Sequence, residues 1–175
     1  MSPAGQDTAW ALEPQTAQHA GAMFALLSDP DLYEFLDQQP PANEAALHAR
    51  FTRLQTRLSP DGSQHWLNWV IRLADGRLAG YVQATVYPDH SANIAYVLGR
   101  DFWGQGLALA ATRGMLDMLT RDYRVQLAFA TVDKRNARSL RLLQRLDFAL
   151  ETDDMPPHAA PQPGDAVLTR MLQPA

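Results

Sequence analysis

Residues 66–98 hold three strand-like runs separated by two tight turns, and the third run feeds directly into a glycine loop and a helix. The first run is 66–73, Trp-Leu-Asn-Trp-Val-Ile-Arg-Leu. Within Ala74-Asp75-Gly76-Arg77, the Asp-Gly pair supplies a hairpin turn, since both residues accept the positive φ such turns require. The return run, 78–87, carries Tyr81, Val82, Val86 and Tyr87, all good strand formers. Pro88-Asp89-His90 turns the chain again into 93–98. Strands joined by such short turns run antiparallel. The middle of the chain is therefore an antiparallel meander.

The flanks supply helices. Trp10-Ala11-Leu12 reads as a short first strand. Thr16 caps a helix over 17–27, with Phe24 and Leu27 toward the core. Asp29-Pro30 breaks it, and 31–37 hold a further turn or two. Asn43 caps a second helix, in which Leu47, Phe51, Leu54 and Leu58 share one face, with Ser59-Pro60-Asp61-Gly62 as its end. After the glycine loop come a helix at about 107–121, a strand at 125–132, a helix at 137–146, and strands at 148–152 and 166–172. A Pro-rich loop fills 153–164. Residues 1–8 read as a flexible end and 9–175 as one α/β domain, which the length of 175 residues suits.

Composition narrows the chemistry. Lys plus Arg is 15 against Asp plus Glu 19, a net charge of −4, which argues against a general nucleic-acid binder. No cysteine is present, which removes disulfides, thiolate nucleophiles and Cys-ligated zinc. No apolar run approaches the ~18 residues of a membrane span. The N-terminus lacks the pattern of a signal peptide. His19, His48, His65, His90 and His158 show no ligand spacing, so no metal is expected. These features point to a cytoplasmic protein with no membrane or nucleic-acid partner.

Two segments carry a more specific signal. In Phe102-Trp103-Gly104-Gln105-Gly106-Leu107-Ala108 a glycine loop opens a helix, so unpaired amides and the helix dipole converge on one spot. That combination binds anions, phosphate above all. Gly106 is followed by Leu107-Ala108 rather than Lys-Ser/Thr, so this is not a nucleotide P-loop. A third glycine and a parallel βαβ setting are missing for a dinucleotide fingerprint. Alone, the loop serves equally as an ordinary strand–helix turn. The second segment is Asp133-Lys134-Arg135-Asn136-Ala137-Arg138-Ser139-Leu140. Here Asn136 can cap the helix, Leu140, Leu143 and Leu146 form a core face, and Arg138, Arg141 and Arg145 form an opposite, solvated stripe.

Together the segments resemble the GNAT superfamily of N-acetyltransferases. That family orders a meander, a Q/R-x-x-G-x-G/A loop, a helix, a strand, then N-x-x-S/A-x-x-L-Y/L-x-K-x-G-F. Here the loop is Trp103-x-x-Gly106-x-Ala108, followed later by Asn136-x-x-Ser139 and Leu142-Leu143-x-Arg145-Leu146-Asp147-Phe148. The stretch 93–108 looks most like the ribosomal-protein alanine N-acetyltransferase branch. Three positions depart: Trp103 replaces Gln or Arg, Asp147 replaces glycine, and Asn93 stands where this branch often has a glutamate base.

The resemblance implies a single fold of class α/β (α+β). Its sheet is central and mixed, mostly antiparallel, with a splayed strand pair and helices on both faces. It implies acetyl-CoA as cosubstrate, lying between strands 93–98 and 125–132. Its pantetheine would pair with backbone of Val97 and Gly99. Its pyrophosphate would meet amides of Trp103, Gly104, Gln105, Gly106, Leu107 and Ala108. Asn136 and Ser139 would border the pantetheine, and Arg138 or Arg141 the 3′-phosphate. An amine would attack the thioester directly, with a backbone N–H at Val97 or Leu98 steadying the oxygen. Ser139 is the expected proton donor to the thiolate, or a water-orienting group, or simply a first-turn serine. Because thiols ionise near ~8.5, its loss should cost little. Glu13, Glu34, Asp89 and Glu151 are the remaining candidate bases. Asn93, Trp69 and Tyr81 are candidate acceptor-side residues. The acceptor is a peptide N-terminus or small amine: an α-amine of pKa ~7.7–8.0 needs less help from a base than a lysine. A homodimer is a family expectation. The alternative is a non-catalytic CoA-binding module, which Asn93 keeps open.

Overall fold

A computed structural model describes residues 9–173. The expectation for residues 1–8 lies outside them. The chain forms β1 (Trp10–Pro14), α1 (Ala20–Leu27), α2 (Glu44–Leu54), β2 (His65–Leu73), β3 (Leu78–Val86) and β4 (Ser91–Leu98). It continues through α3 (Leu107–Tyr123), β5 (Leu127–Asp133), α4 (Ala137–Arg145), β6 (Ala149–Leu150) and β7 (Asp165–Met171). Seven strands make one sheet in the order β1-β2-β3-β4-β5-β7-β6. Only β4 and β5 pair in parallel; the other pairs are antiparallel.

Strand alternation sorts the core into two layers. Trp69, Ile71, Val82, Ile94 and Leu98 face α3 and α4, packing with Ala111, Met115, Leu119 and Leu143. Val70, Leu78 and Tyr81 face the other way, against Met23 and Leu27 of α1 and Leu47 and Phe51 of α2.

Several elements differ from the sequence expectation. The helix expected over 17–27 divides into a 3-10 turn, Ala17–His19, and α1. Met23 is fully buried there and Phe24 only half-buried. The second helix stops at Leu54 because Arg57 adopts φ 62, which no helix accommodates. Leu58 consequently leaves the apolar face, is 42% exposed, and bridges to His65. The strand expected at 148–152 shrinks to Ala149–Leu150. Asn43 caps α2 as expected, its Oδ1 accepting from the Ala46 N–H at 2.8 Å.

Candidate active site

The parallel seam is short. β4 and β5 pair only at Ser91–Leu127, Ala92–Ala128 and Asn93–Phe129. Beyond Asn93 they separate, and a cavity of about 520 Å³ opens between them. Its walls are Ile94 to Leu98, Ala130 to Asp133, the start of α3, and Asn136, Ser139 and the arginines of α4. Asp31 to Leu36, between α1 and α2, roof it, Tyr33 excepted. Arg100 ties down that roof from one wall, bonding Asp29 at 2.6 Å and Asp31 at 2.7 Å. Arg135 reaches it from the other, its guanidinium 5.7 Å from the Phe35 ring centre.

Which backbone groups face the cleft follows from register. The Tyr87 N–H donates to Ser91 O and the Gly99 N–H to Ala79 O, both at 2.9 Å. Antiparallel pairs alternate, so Val97 is likewise bonded to Tyr81, its partner in the ladder. Val97 therefore spends its backbone groups on β3, while Gly99 gives only its N–H to β3 and its carbonyl accepts from the Phe102 N–H at 3.0 Å. Tyr96 and Leu98 turn theirs toward the open edge. The Leu98 carbonyl there accepts from the Trp103 indole N–H at 2.9 Å.

Glycines shape the loop through φ. Gly104 and Gly106 adopt φ 74 and 77, and a Cβ on either would meet nothing within 4 Å. Conformation, not crowding, requires glycine at both. Gly106 caps α3 with no side-chain cap, leaving first-turn amides of Leu107 and Ala108 facing the cavity. Gln105 does not line the cavity; its amide folds back onto Asp101 O at 2.7 Å.

Trp103 spends its peptide N–H on Arg100 O at 3.1 Å, and it is the ring that borders the cleft. Arg138 stacks over its ring, with 3.4 Å from guanidinium carbon to ring centre. Arg138, Arg141 and Arg145 all line the cavity, and none forms an ion pair among the described residues. The stripe, read from its periodicity as a solvated face, is the cationic wall of the cleft. Its spacing of three and four residues places it on one helix face.

On α4, the Asn136 Oδ1 accepts from the Ser139 N–H at 3.1 Å, so Asn136 is the cap and only its NH₂ remains free for a ligand. Ser139 Oγ lies 2.6 Å from the Tyr96 hydroxyl. Burial pushes the Tyr96 phenol up to about 12, against a smaller opposing effect of the Ser139 hydrogen bond. Sequence alone marks Tyr96 only as core. Its strand position directly before the open edge is the signal that points to more.

Trp69 and Tyr81 line neither cavity. They are 3% and 9% exposed and belong to opposite core layers. Asn93 lines a second cavity of about 220 Å³, on the α2 side of the sheet. The two cavities share Ile94 and Ala95.

Of the candidate bases only Glu34 lines a cavity. The Arg72 guanidinium holds the Glu13 carboxyl below its usual range. The Ser91 hydroxyl does so for Asp89, and the Asp154 and Asp153 amides for Glu151. Among the described residues no three His, Asp or Glu side chains converge as a metal site, and no helix is long and apolar enough to cross a membrane.

Comparison with known proteins identifies the family. The chain belongs to the GNAT acetyltransferase family, whose domain, described as "Acetyltransferase (GNAT) domain", matches residues 11–149. By class it is an N-acetyltransferase. No curated protein matches it. Among solved structures it is similar to a T. thermophilus protein assigned as an acetyltransferase, at 26% identity and TM-score 0.69, covering 93% of this chain and 85% of that one. It shares the fold of spermidine N-acetyltransferase from Vibrio cholerae, solved with CoA and spermine, at 14% identity, TM-score 0.75 and coverage of 93% and 95%. A GNAT-family acetyltransferase from Bacillus anthracis gives 15% identity, TM-score 0.72 and coverage of 93% and 94%.

Proposed function

We propose that the protein transfers an acetyl group from acetyl-CoA to a primary amine, by direct attack within a ternary complex. One observation carries the reading: β4 and β5 part after Asn93 and open onto the uncapped N-terminus of α3. The residues present fit the cosubstrate. Tyr96 and Leu98 offer strand-edge backbone to an amide-bearing arm. The amides of Gly104, Gly106, Leu107 and Ala108 and the α3 dipole suit a pyrophosphate. Arg138 and Arg141 suit a further phosphate, and the Asn136 NH₂ a carbonyl.

Acetyl-CoA supplies an activated thioester. The cleft holds it next to the acceptor and so provides proximity. The Leu98 N–H faces the seam, where it can steady the thioester oxygen as that oxygen gains charge. As the amine nitrogen bonds the acetyl carbon, the carbon–sulfur bond breaks and sulfur leaves with the electron pair. Ser139 donates the proton that sulfur receives and regains one from solvent, while Tyr96, a phenol that stays protonated at neutral pH, orients Ser139. The acceptor's own surplus proton goes to solvent, since no carboxylate lines the second cavity. An α-amine, already about a tenth neutral at pH 7, tolerates that arrangement better than a lysine. A protein N-terminal α-amine is accordingly the favoured acceptor, in the cytoplasm, with a homodimer as the working assembly.

Asn93 favours one competing reading, a CoA-binding module without catalysis. Calorimetry with CoA, followed by thiol release across N-terminal peptides, polyamines and amino sugars, separates the two. CoA binding with no thiol release would establish the second. No CoA binding would refute both.

A further inference from the structure

The second cavity carries a chemistry of its own. Asn68 pairs with Gln83 across β2 and β3, and Thr85 with Asn93 across β3 and β4, so four polar side chains share one face of three adjacent strands. All four line the cavity, which Arg50 borders from α2. Among the described residues the side chains of Gln83, Thr85 and Asn93 make no hydrogen bond, although each is half-buried. Asn68 is 8% exposed and makes one long bond, 3.4 Å, to Trp66 O. Half-buried side chains of this kind bond water and can exchange it for donors and acceptors of a ligand. Arg50 is the one ionisable residue among those lining it, and no carboxylate joins it. Asn93 marks the end of the β4–β5 seam, and Ile94 and Ala95 belong to both cavities. An acceptor seated here would present its amine at the point where the strands part.

We infer that this cavity is the acceptor subsite, and that it selects an α-amine flanked by a carboxylate and by amide groups while rejecting polycations. The inference rests on the acetyl-transfer reading above and narrows its α-amine acceptor to one with a neighbouring carboxylate. The amide and hydroxyl side chains match a peptide or amino-acid backbone, each able to donate or accept. Arg50 pairs with a carboxylate, and an arginine fork holds that group in two bonds where a lysine offers a point charge. The second ammonium of a polyamine would find no counter-charge among these residues and would meet the repulsion of Arg50.

The test is thiol release at saturating acetyl-CoA with alanyl-glutamyl, alanyl-alanyl and alanyl-lysyl peptide amides, free glutamate, and spermidine. The expected result is a kcat/KM at least tenfold higher for the glutamyl than for the lysyl peptide, with spermidine lowest. Free glutamate distinguishes an amino-acid acceptor from a peptide one: it equals the glutamyl peptide only in the first case. Arg50→Glu, an exposed substitution on α2, should invert the glutamyl-to-lysyl ratio while leaving CoA affinity unchanged. Thiol release that favours spermidine or the lysyl peptide, or a ratio unmoved by Arg50→Glu, overturns this inference and leaves acetyl transfer standing. No release with any acceptor overturns both.

Discussion

Removing the Tyr96 hydroxyl tests the Ser139 pair most directly. Tyr96→Phe deletes one oxygen from a half-buried ring and leaves the β4 backbone alone. The lost contact is the 2.6 Å bond to Ser139 Oγ. A neutral bond of this kind contributes ~1 kcal/mol of net stability, or about 2–4 °C in Tm for a chain of this size. In turnover the effect is indirect, because Ser139 remains to donate. Losing its orientation should cost about fivefold in kcat, matching ~1 kcal/mol. Ser139→Ala removes the donor itself. A bond to a charged group is worth ~1.5–3 kcal/mol, and the easy departure of a thiolate favours the lower end, on the order of tenfold. The double variant should be no slower than Ser139→Ala, because the two hydroxyls act as one chain. The assay is thiol release with the best acceptor of the panel, with CoA affinity measured alongside. Equal, independent losses that multiply in the double variant would refute the relay. So would an unchanged kcat in Ser139→Ala.

Other outcomes follow from backbone and charge. Gly80→Ala would drive its Cβ into Val97 O at φ 153. Overpacking and strain together should cost about 3–5 kcal/mol, read as a Tm fall of roughly 10 °C; a fall of only a degree or two would contradict the close approach. Gly106→Ala meets no atom but must hold φ 77, so it should lose ~1–2 kcal/mol and weaken CoA binding in calorimetry. Arg135 holds the Asp133 carboxyl down at about 2, and the Ser59 hydroxyl does the same for Asp61. Both pKa values are depressed, so the stability they confer is present above the ordinary carboxylate value and lost as pH falls through about 2. Circular dichroism between about pH 4 and 2 should show that loss, reduced in Asp133→Asn and Asp61→Asn.

Local signals were readable in the sequence, and long-range ones were not. Asp75-Gly76 announced its hairpin because φ 88 at Gly76 is a property of one residue. Asn43 and Asn136 announced their caps for the same reason: each bonds an amide three residues on. Arg57 gave no warning, since a positive φ at arginine is imposed by the chain on either side. The Tyr96–Ser139 pair spans 43 positions and exists only once α4 lies across β4. The arginine stripe was visible as a stripe, yet its facing depends on where the strands part. The same limit holds for Trp69 and Tyr81, which the hydrophobic pattern marks as strand residues without saying which core layer each enters.

The three-residue seam between β4 and β5 also has a mechanical meaning. It divides the sheet into a four-stranded and a three-stranded half, bridged by α3 and the core beneath it. A bound ligand running along the open edge would act as a splint, replacing ladder bonds the chain itself does not make. Binding would then be felt far from the chemistry, as slower amide exchange in both halves and a stability gain of about 2.7 kcal/mol at a hundredfold excess over Kd. The substrate would serve, for the duration of a turnover, as part of the protein's framework.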